Sequence, residues 1–223
     1  MHLLLSTDAS DCTDAIYNRL ASELDSSKNV LWFLTGGSNI AVDIEVMARL
    51  TDEQTENLTV TLTDERYVDY GHADSNWHQL LEGGFNAKQA REFPVLQADN
   101  ESLEQTTAIY ASNLDVALQE ADVVIGFYGL GGDGHIAGIL PETSAVDADG
   151  LAVGYVTDTF TRITSTFEVI RRCDVAYMYA GGAGKLEALQ NLQSARSLRE
   201  QPAQILKELS EAYIYNDQLG EPL

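Results

Sequence analysis

Positive charge is scarce in this chain of 223 residues. Four lysines and nine arginines stand against 35 acidic residues, a formal net charge of −22. A field of that sign repels phosphodiester backbones and anionic lipid headgroups, so neither nucleic acid nor a membrane is expected as a partner. It also draws attention to any cation standing in an otherwise uncharged stretch, because an anionic ligand would need such cations to be placed deliberately. The surplus of acid suits a salty cytoplasm, where self-repulsion is screened. Cysteine is equally scarce: Cys12 and Cys173 lie far apart, fit no metal or redox spacing, and read as buried free thiols. No run approaches the ~20 apolar residues of a membrane span. The opening Met1–Ser6 has neither the basic region nor the apolar length of a signal peptide. There is no internal repeat, low-complexity tract or long linker. Asp147-Ala148-Asp149-Gly150 is the most linker-like stretch and is too short to separate domains. With 44% hydrophobic residues the chain can bury a full core, and residues 1–223 read as a single cytoplasmic α/β domain, monomeric or a small homo-oligomer.

What the chain does have is a regular alternation. Short β-rich runs occur at Val30–Thr35, Leu58–Thr63, Val123–Tyr128, Leu151–Val156, Val175–Ala180 and Ala212–Tyr215. Most are continuous apolar runs, the signature of strands covered on both faces. Helical patterns lie between them, at Asp11–Leu24, Ile40–Leu50, Ser75–Leu81, Leu103–Glu120, Gly184–Leu192 and Pro202–Leu209. This order predicts a Rossmann-like, mainly parallel sheet flanked by helices. Right-handed crossovers then gather the strand C-terminal ends on one edge, where such sheets bind ligands.

The polar motifs fall on that expected edge. Val123–Tyr128 runs into Gly129-Leu130-Gly131-Gly132-Asp133-Gly134-His135, where glycines admit a close ligand and an acid stands two residues from an imidazole. The following Ile136–Pro141 is expected to open a helix whose first N–H groups face the loop. Thr35-Gly36-Gly37-Ser38 precedes a helix, a common anion-holding arrangement and equally an ordinary serine N-cap. Asp64-Glu65-Arg66 ends a strand, and a guanidinium there suits phosphate or carboxylate, unless the segment is a solvated turn. Arg162 stands nearly alone in an uncharged stretch, Thr161–Thr166. Gly181-Gly182-Ala183-Gly184-Lys185 lacks Walker A spacing, so no nucleotide is implied; a lysine at a helix start opposes the dipole unless it answers an anion. His72 and His78 are poorly spaced for a metal.

Taken in order, Thr-Gly-Gly-Ser at 35–38, Asp-Glu-Arg-Tyr-Val at 64–68, Asp-Ser-Asn at 74–76, Gly-Leu-Gly-Gly-Asp-Gly-His-Ile-Ala at 129–137, Arg-Ile-Thr at 162–164 and Gly-Ala-Gly-Lys at 182–185 resemble the 6-phosphogluconolactonases. That family is related to the glucosamine-6-phosphate deaminases, which typically read Asp-Glu-Tyr where this chain has Asp64-Glu65-Arg66. Deaminases also carry a glutamate at the position of Leu140, before Pro141. The resemblance implies hydrolysis of 6-phospho-D-glucono-1,5-lactone in the oxidative pentose phosphate pathway, a phosphorylated sugar lactone as the small-molecule partner, and no metal or organic cofactor. It further implies His135 as general base with Asp133 beside it. Arg66, Arg162 and Lys185 would hold the phosphate, with Gly36, Gly37, Ser38 and Asp64 around the substrate. The chain departs from the family pattern in reading Asn39-Ile40 after Gly-Gly-Ser, where Thr-Pro or Ser-Pro is usual. A deaminase-like enzyme and a non-catalytic sugar-phosphate-binding protein are the other readings.

Overall fold

The computed structural model describes residues 1–98 and 102–222. In chain order its elements are β1 (His2–Leu5), α1 (Ser10–Asp25), β2 (Val30–Leu34), α2 (Ile40–Arg49), α3 (Asp52–Thr55), β3 (Leu58–Leu62), β4 (Asp64–Arg66), α4 (Asn76–Glu82) and β5 (Arg91–Glu92). Then follow α5 (Leu103–Glu120), β6 (Val123–Gly129), β7 (Ala152–Val156), β8 (Thr161–Ser165), α6 (Phe167–Arg171), β9 (Val175–Ala180), α7 (Leu186–Leu192), β10 (Ala212–Asn216) and β11 (Glu221–Pro222). Eight strands form one parallel sheet in the order β11-β1-β10-β9-β6-β2-β3-β5.

All five residues of β2, Val-Leu-Trp-Phe-Leu, are buried, as a central strand with both faces covered requires. Removing each such side chain from water contributes about 1.5–3 kcal/mol. Cys12, Ile16, Leu20 and Leu24 recur along one buried stripe of α1, which packs on α2 and over β2 and β9. A capping box between Ser102 and Gln105 starts α5. Tyr110 of that helix donates its hydroxyl to the Leu62 carbonyl at 2.6 Å. Both cysteines are buried free thiols.

From β2 the chain moves outward in one direction to β3, whereas β6 lies on β2's other side and leads to β9 and β10. The strand order therefore reverses between β2 and β6, and the crevice at their C-terminal ends is the topological switch point.

Several expectations are corrected. Leu151–Val156 does yield a strand, β7, but it belongs to a second, antiparallel sheet of order β4-β8-β7. Within that sheet Thr161–Ser165 is a strand that the uncharged polar composition had hidden. The chain enters it at Thr63, whose N–H donates to Leu34 O and whose carbonyl accepts from Ser165 N. Ile136–Pro141 opens no helix: Ile136 bridges Leu130 and Ile139, and Ala137 is left-handed at φ 50°. Burial decides this, since Ile136 and Ile139 are fully enclosed. Gly138 is wedged against Asp64 and Thr164, where a Cβ would stand 2.9 Å from theirs. Its N–H is consumed by Thr164 Oγ1 at 3.0 Å. Pro202–Glu208 is a 3-10 rather than an α-helix, and His2–Leu5 adds an unanticipated parallel strand beside β10.

Candidate active site

Three loops of the large sheet meet at the switch point. After β2, Gly36 packs so closely on Asn76 that any side chain would collide with it, and Gly37 adopts φ 67°. The 3-10 turn Gly37–Asn39 then leads into α2. The serine N-cap alternative is not what forms: no side chain caps this helix, and Ser38 instead lines the crevice. Asn39, 3% exposed, reaches across and donates Nδ2 to the Tyr179 carbonyl at the end of β9, 3.0 Å away. That bond ties the loop after β2 to the far side of β6.

After β6 the chain makes a tight turn in which Gly131 N donates to His135 O at 2.9 Å. His135 Nδ1 lies 2.7 Å from Asp133 Oδ1, and the same oxygen accepts from His135 N at 3.1 Å. A side chain at Gly131 would occupy the space of this pair, so glycine is demanded there. Partial burial pushes the Asp133 carboxyl up, but the hydrogen bond and charge of His135 outweigh it and hold the group down at about 2. Asp133 is therefore an acceptor at neutral pH, and its partner Nδ1 is the ring nitrogen that carries the proton.

The small sheet faces the same crevice. Its register sets Asp64 opposite Thr164 and Arg66 opposite Arg162. Arg162 Nη1 lies 3.3 Å from Asp64 Oδ2, both side chains nearly enclosed. Arg66 Nη1 donates to the Asp74 carbonyl at 2.8 Å. Glu65 points the other way and is completely buried. Its carboxylate accepts from Arg66 N (2.7 Å), Asn76 N (2.7 Å), Trp77 N (2.9 Å) and Ser75 Oγ (2.9 Å). Burial raises its pKa, while those four bonds pull it back. This residue staples β4 to the start of α4, so the solvated-turn alternative for Asp64–Arg66 is not what forms.

Together these elements enclose a cavity of about 490 Å3. Gly36, Gly37, Ser38, Asp64, Arg66, His135, Arg162 and Lys185, all anticipated, line it. Asp133 does not; it stands behind His135. Lys185 sits just ahead of α7 and has no ion pair among the described residues, unlike most other cations of the chain. Thr35, Asn39, Asn76 and Tyr179, to which no substrate role was assigned beforehand, also line it. Asn76 gives Nδ2 to Asp64 O at 3.0 Å, and its buried Oδ1 has no partner among the described residues. Its place in the Asp-Ser-Asn motif was the available signal. Asn39 carried only the sign of a departure from pattern. Among the described residues no cluster of three or more His, Cys, Asp or Glu side chains has the geometry of a metal site.

An open parallel sheet whose switch-point crevice holds an Asp-supported histidine and three cations defines an α/β protein with a polar, cation-lined cavity. Residues 6–214 match the family model described as glucosamine-6-phosphate isomerases/6-phosphogluconolactonase, and the chain belongs to that family. A 6-phosphogluconolactonase of Synechocystis sp. is 30% identical over 203 residues, spanning 85% of this chain and 83% of that protein. A probable chloroplastic 6-phosphogluconolactonase of Oryza sativa subsp. indica is 27% identical, over 78% of this chain but only 60% of its own length. The crystal structure of a 6-phosphogluconolactonase from Shewanella baltica superposes with a TM-score of 0.82 at 19% identity, covering 97% of each chain.

Proposed function

We propose that the protein hydrolyses 6-phospho-D-glucono-1,5-lactone to 6-phosphogluconate. The observation that carries this reading is the convergence of His135 with Arg66, Arg162 and Lys185 on one cavity at the switch point. With Nδ1 engaged by the Asp133 carboxylate, Nε2 is the basic nitrogen. It takes a proton from water as the oxygen attacks the lactone C1. The resulting tetrahedral oxyanion collapses, the bond from C1 to the ring oxygen breaks, and His135 returns the proton to that oxygen. General-base catalysis of this kind contributes about 10²–10⁴-fold, and glycine-loop N–H groups supply further stabilisation to the oxyanion.

Arg66 and Arg162 hold the phosphate from the small sheet and Lys185 from the opposite side, with Gly36, Gly37 and Ser38 along the sugar and Asp64 orienting Arg162. Every catalytic and binding group lies within residues 36–185, on both sheets, which supports residues 1–223 acting as one catalytic domain. No helix among the described residues is long and apolar enough to cross a membrane, and two free thiols favour a cytoplasmic location. In a coupled assay the purified protein accelerates lactone opening well above the spontaneous rate; an unchanged rate overturns the reading. Ammonia release from glucosamine 6-phosphate would favour the deaminase alternative, for which Leu140 offers no carboxylate.

A further inference from the structure

Arg66 and Arg162 are directly opposed on antiparallel strands. Like charges in that position repel and destabilise a sheet unless something offsets them. Arg162 has Asp64, but among the described residues Arg66 has no carboxylate in ion-pair range, only the Asp74 carbonyl. The Nε of each guanidinium is buried without a hydrogen-bond partner among the described residues. What the two share is a single aromatic ring. Phe160 lies 5.4 Å from Arg66 Cζ and 5.7 Å from Arg162 Cζ, both inside the roughly 6 Å range over which a ring face attracts a cation.

The backbone that carries the ring is held in place. Phe160 closes the hairpin between β7 and β8, where Thr157 N and Thr157 Oγ1 both donate to the Phe160 carbonyl, at 2.9 and 2.7 Å. Phe160 N donates back to Thr157 Oγ1 at 3.1 Å. The neighbouring Thr161 carbonyl accepts from Tyr67 N at 2.8 Å, which anchors the hairpin tip to the strand that carries Arg66.

We infer that Phe160 is a specificity-determining positioning residue: its ring holds Arg66 and Arg162 together as one anion-binding pair, and so selects phosphorylated over unphosphorylated lactones. Phe160 does not line the cavity; it acts through the two arginines. A doubly charged phosphate placed against both guanidiniums cancels their mutual repulsion, whereas a neutral sugar terminus leaves it standing. The inference rests on the sugar-phosphate reading above, and its test separates the two.

Three forms of the full-length protein decide the matter: wild type, Phe160→Leu, which keeps apolar bulk without a π face, and Phe160→Tyr, which restores the face. Titration calorimetry with inorganic phosphate is read beside kinetics on 6-phosphogluconolactone and on glucono-1,5-lactone. Phe160→Leu is expected to weaken phosphate binding roughly tenfold, and to lower the preference for the phosphorylated lactone by a similar factor, through KM rather than kcat. Phe160→Tyr recovers most of both. Unchanged phosphate affinity in Phe160→Leu overturns the inference. So does equal loss in both variants with a fallen melting temperature, since the ring would then serve only hairpin stability. Wild type that binds phosphate yet opens no lactone sinks the proposed function and leaves Phe160 standing; wild type that binds no phosphate sinks the inference.

Discussion

At the cavity the large parallel sheet ends in glycine, with Gly36-Gly37 after β2, Gly129 at the end of β6 and Gly181-Gly182 after β9. The small antiparallel sheet ends in charge, with Asp64, Arg66 and Arg162 on two strands paired residue for residue. One sheet brings backbone, a single imidazole and the lone Lys185 to the cavity; the other holds paired side-chain charges at a fixed spacing. A loop tolerates the positive φ of Gly37 and the crowding at Gly131, which a strand interior would not. A short ladder can keep two guanidiniums opposed, which a glycine loop could not. Chemistry assigned to the first region and recognition assigned to the second are therefore separable by mutation.

The largest expected effect tests the first half. His135→Ala should lower kcat on the phosphorylated lactone by on the order of 10²–10⁴-fold with little change in KM, measured in the coupled assay. A variant that keeps the wild-type rate would break the division outright. Next comes the frame of the small sheet. Glu65→Ala leaves the N–H groups of Arg66, Asn76 and Trp77 without their acceptor in a closed interior. At about 1–3 kcal/mol for each orphaned donor, chemical denaturation should register a loss of several kcal/mol. A loss below about 1 kcal/mol would mean β4 is held by something else. Arg66→Ala should then raise KM and cut kcat/KM about 10- to 100-fold, from the loss of charge-assisted hydrogen bonds of roughly 1.5–3 kcal/mol. Lys185→Ala, at the half-exposed rim, should cost only severalfold. If the lysine variant suffers more, recognition sits on the large sheet and the comparison inverts.

How much of this was legible beforehand follows the same divide. Continuous apolar runs marked β2, β6, β9 and β10, because strands enclosed on both faces admit little else, while β3 alternates apolar residues with threonine. The central strand of the small sheet hid itself: in Thr161-Arg162-Ile163-Thr164-Ser165 only Ile163 is apolar, yet residues 163–165 are buried. Their burial is tolerated because Thr164 Oγ1 and Ser165 Oγ both find backbone carbonyls at 2.9 Å. No local pattern announces a polar strand satisfied by tertiary bonds. For that reason too, the link between Asp64-Glu65-Arg66 and the distant Arg162 was readable only as family order and not as a strand pair. Ile136–Pro141 misled in the opposite sense: its apolar spacing reads as a helix start, but it is a buried turn filling the join between the sheets.

The smallest effect concerns the floor beneath the glycine loop. Asp43 of α2 is fully buried, and its Oδ2 accepts from Thr35 N at 3.0 Å. Its Oδ1 has no partner among the described residues. Burial drives the carboxyl well above its ordinary range, only partly relieved by the Thr35 bond. A carboxyl whose folded pKa exceeds its unfolded value of 3.8 binds its proton more tightly in the native state. Its contribution to stability is therefore complete below that unfolded value and is lost as pH rises through the raised folded one. Asp43→Asn keeps an oxygen for Thr35 N and cannot titrate. The variant should match wild type in melting temperature near pH 3, then exceed it by a few degrees, for about 1 kcal/mol, as pH climbs to 8. A gap that stays constant across that range would mean Asp43 gives no proton-linked term, and the loop after β2 would owe its stability to the Asn39 clasp instead.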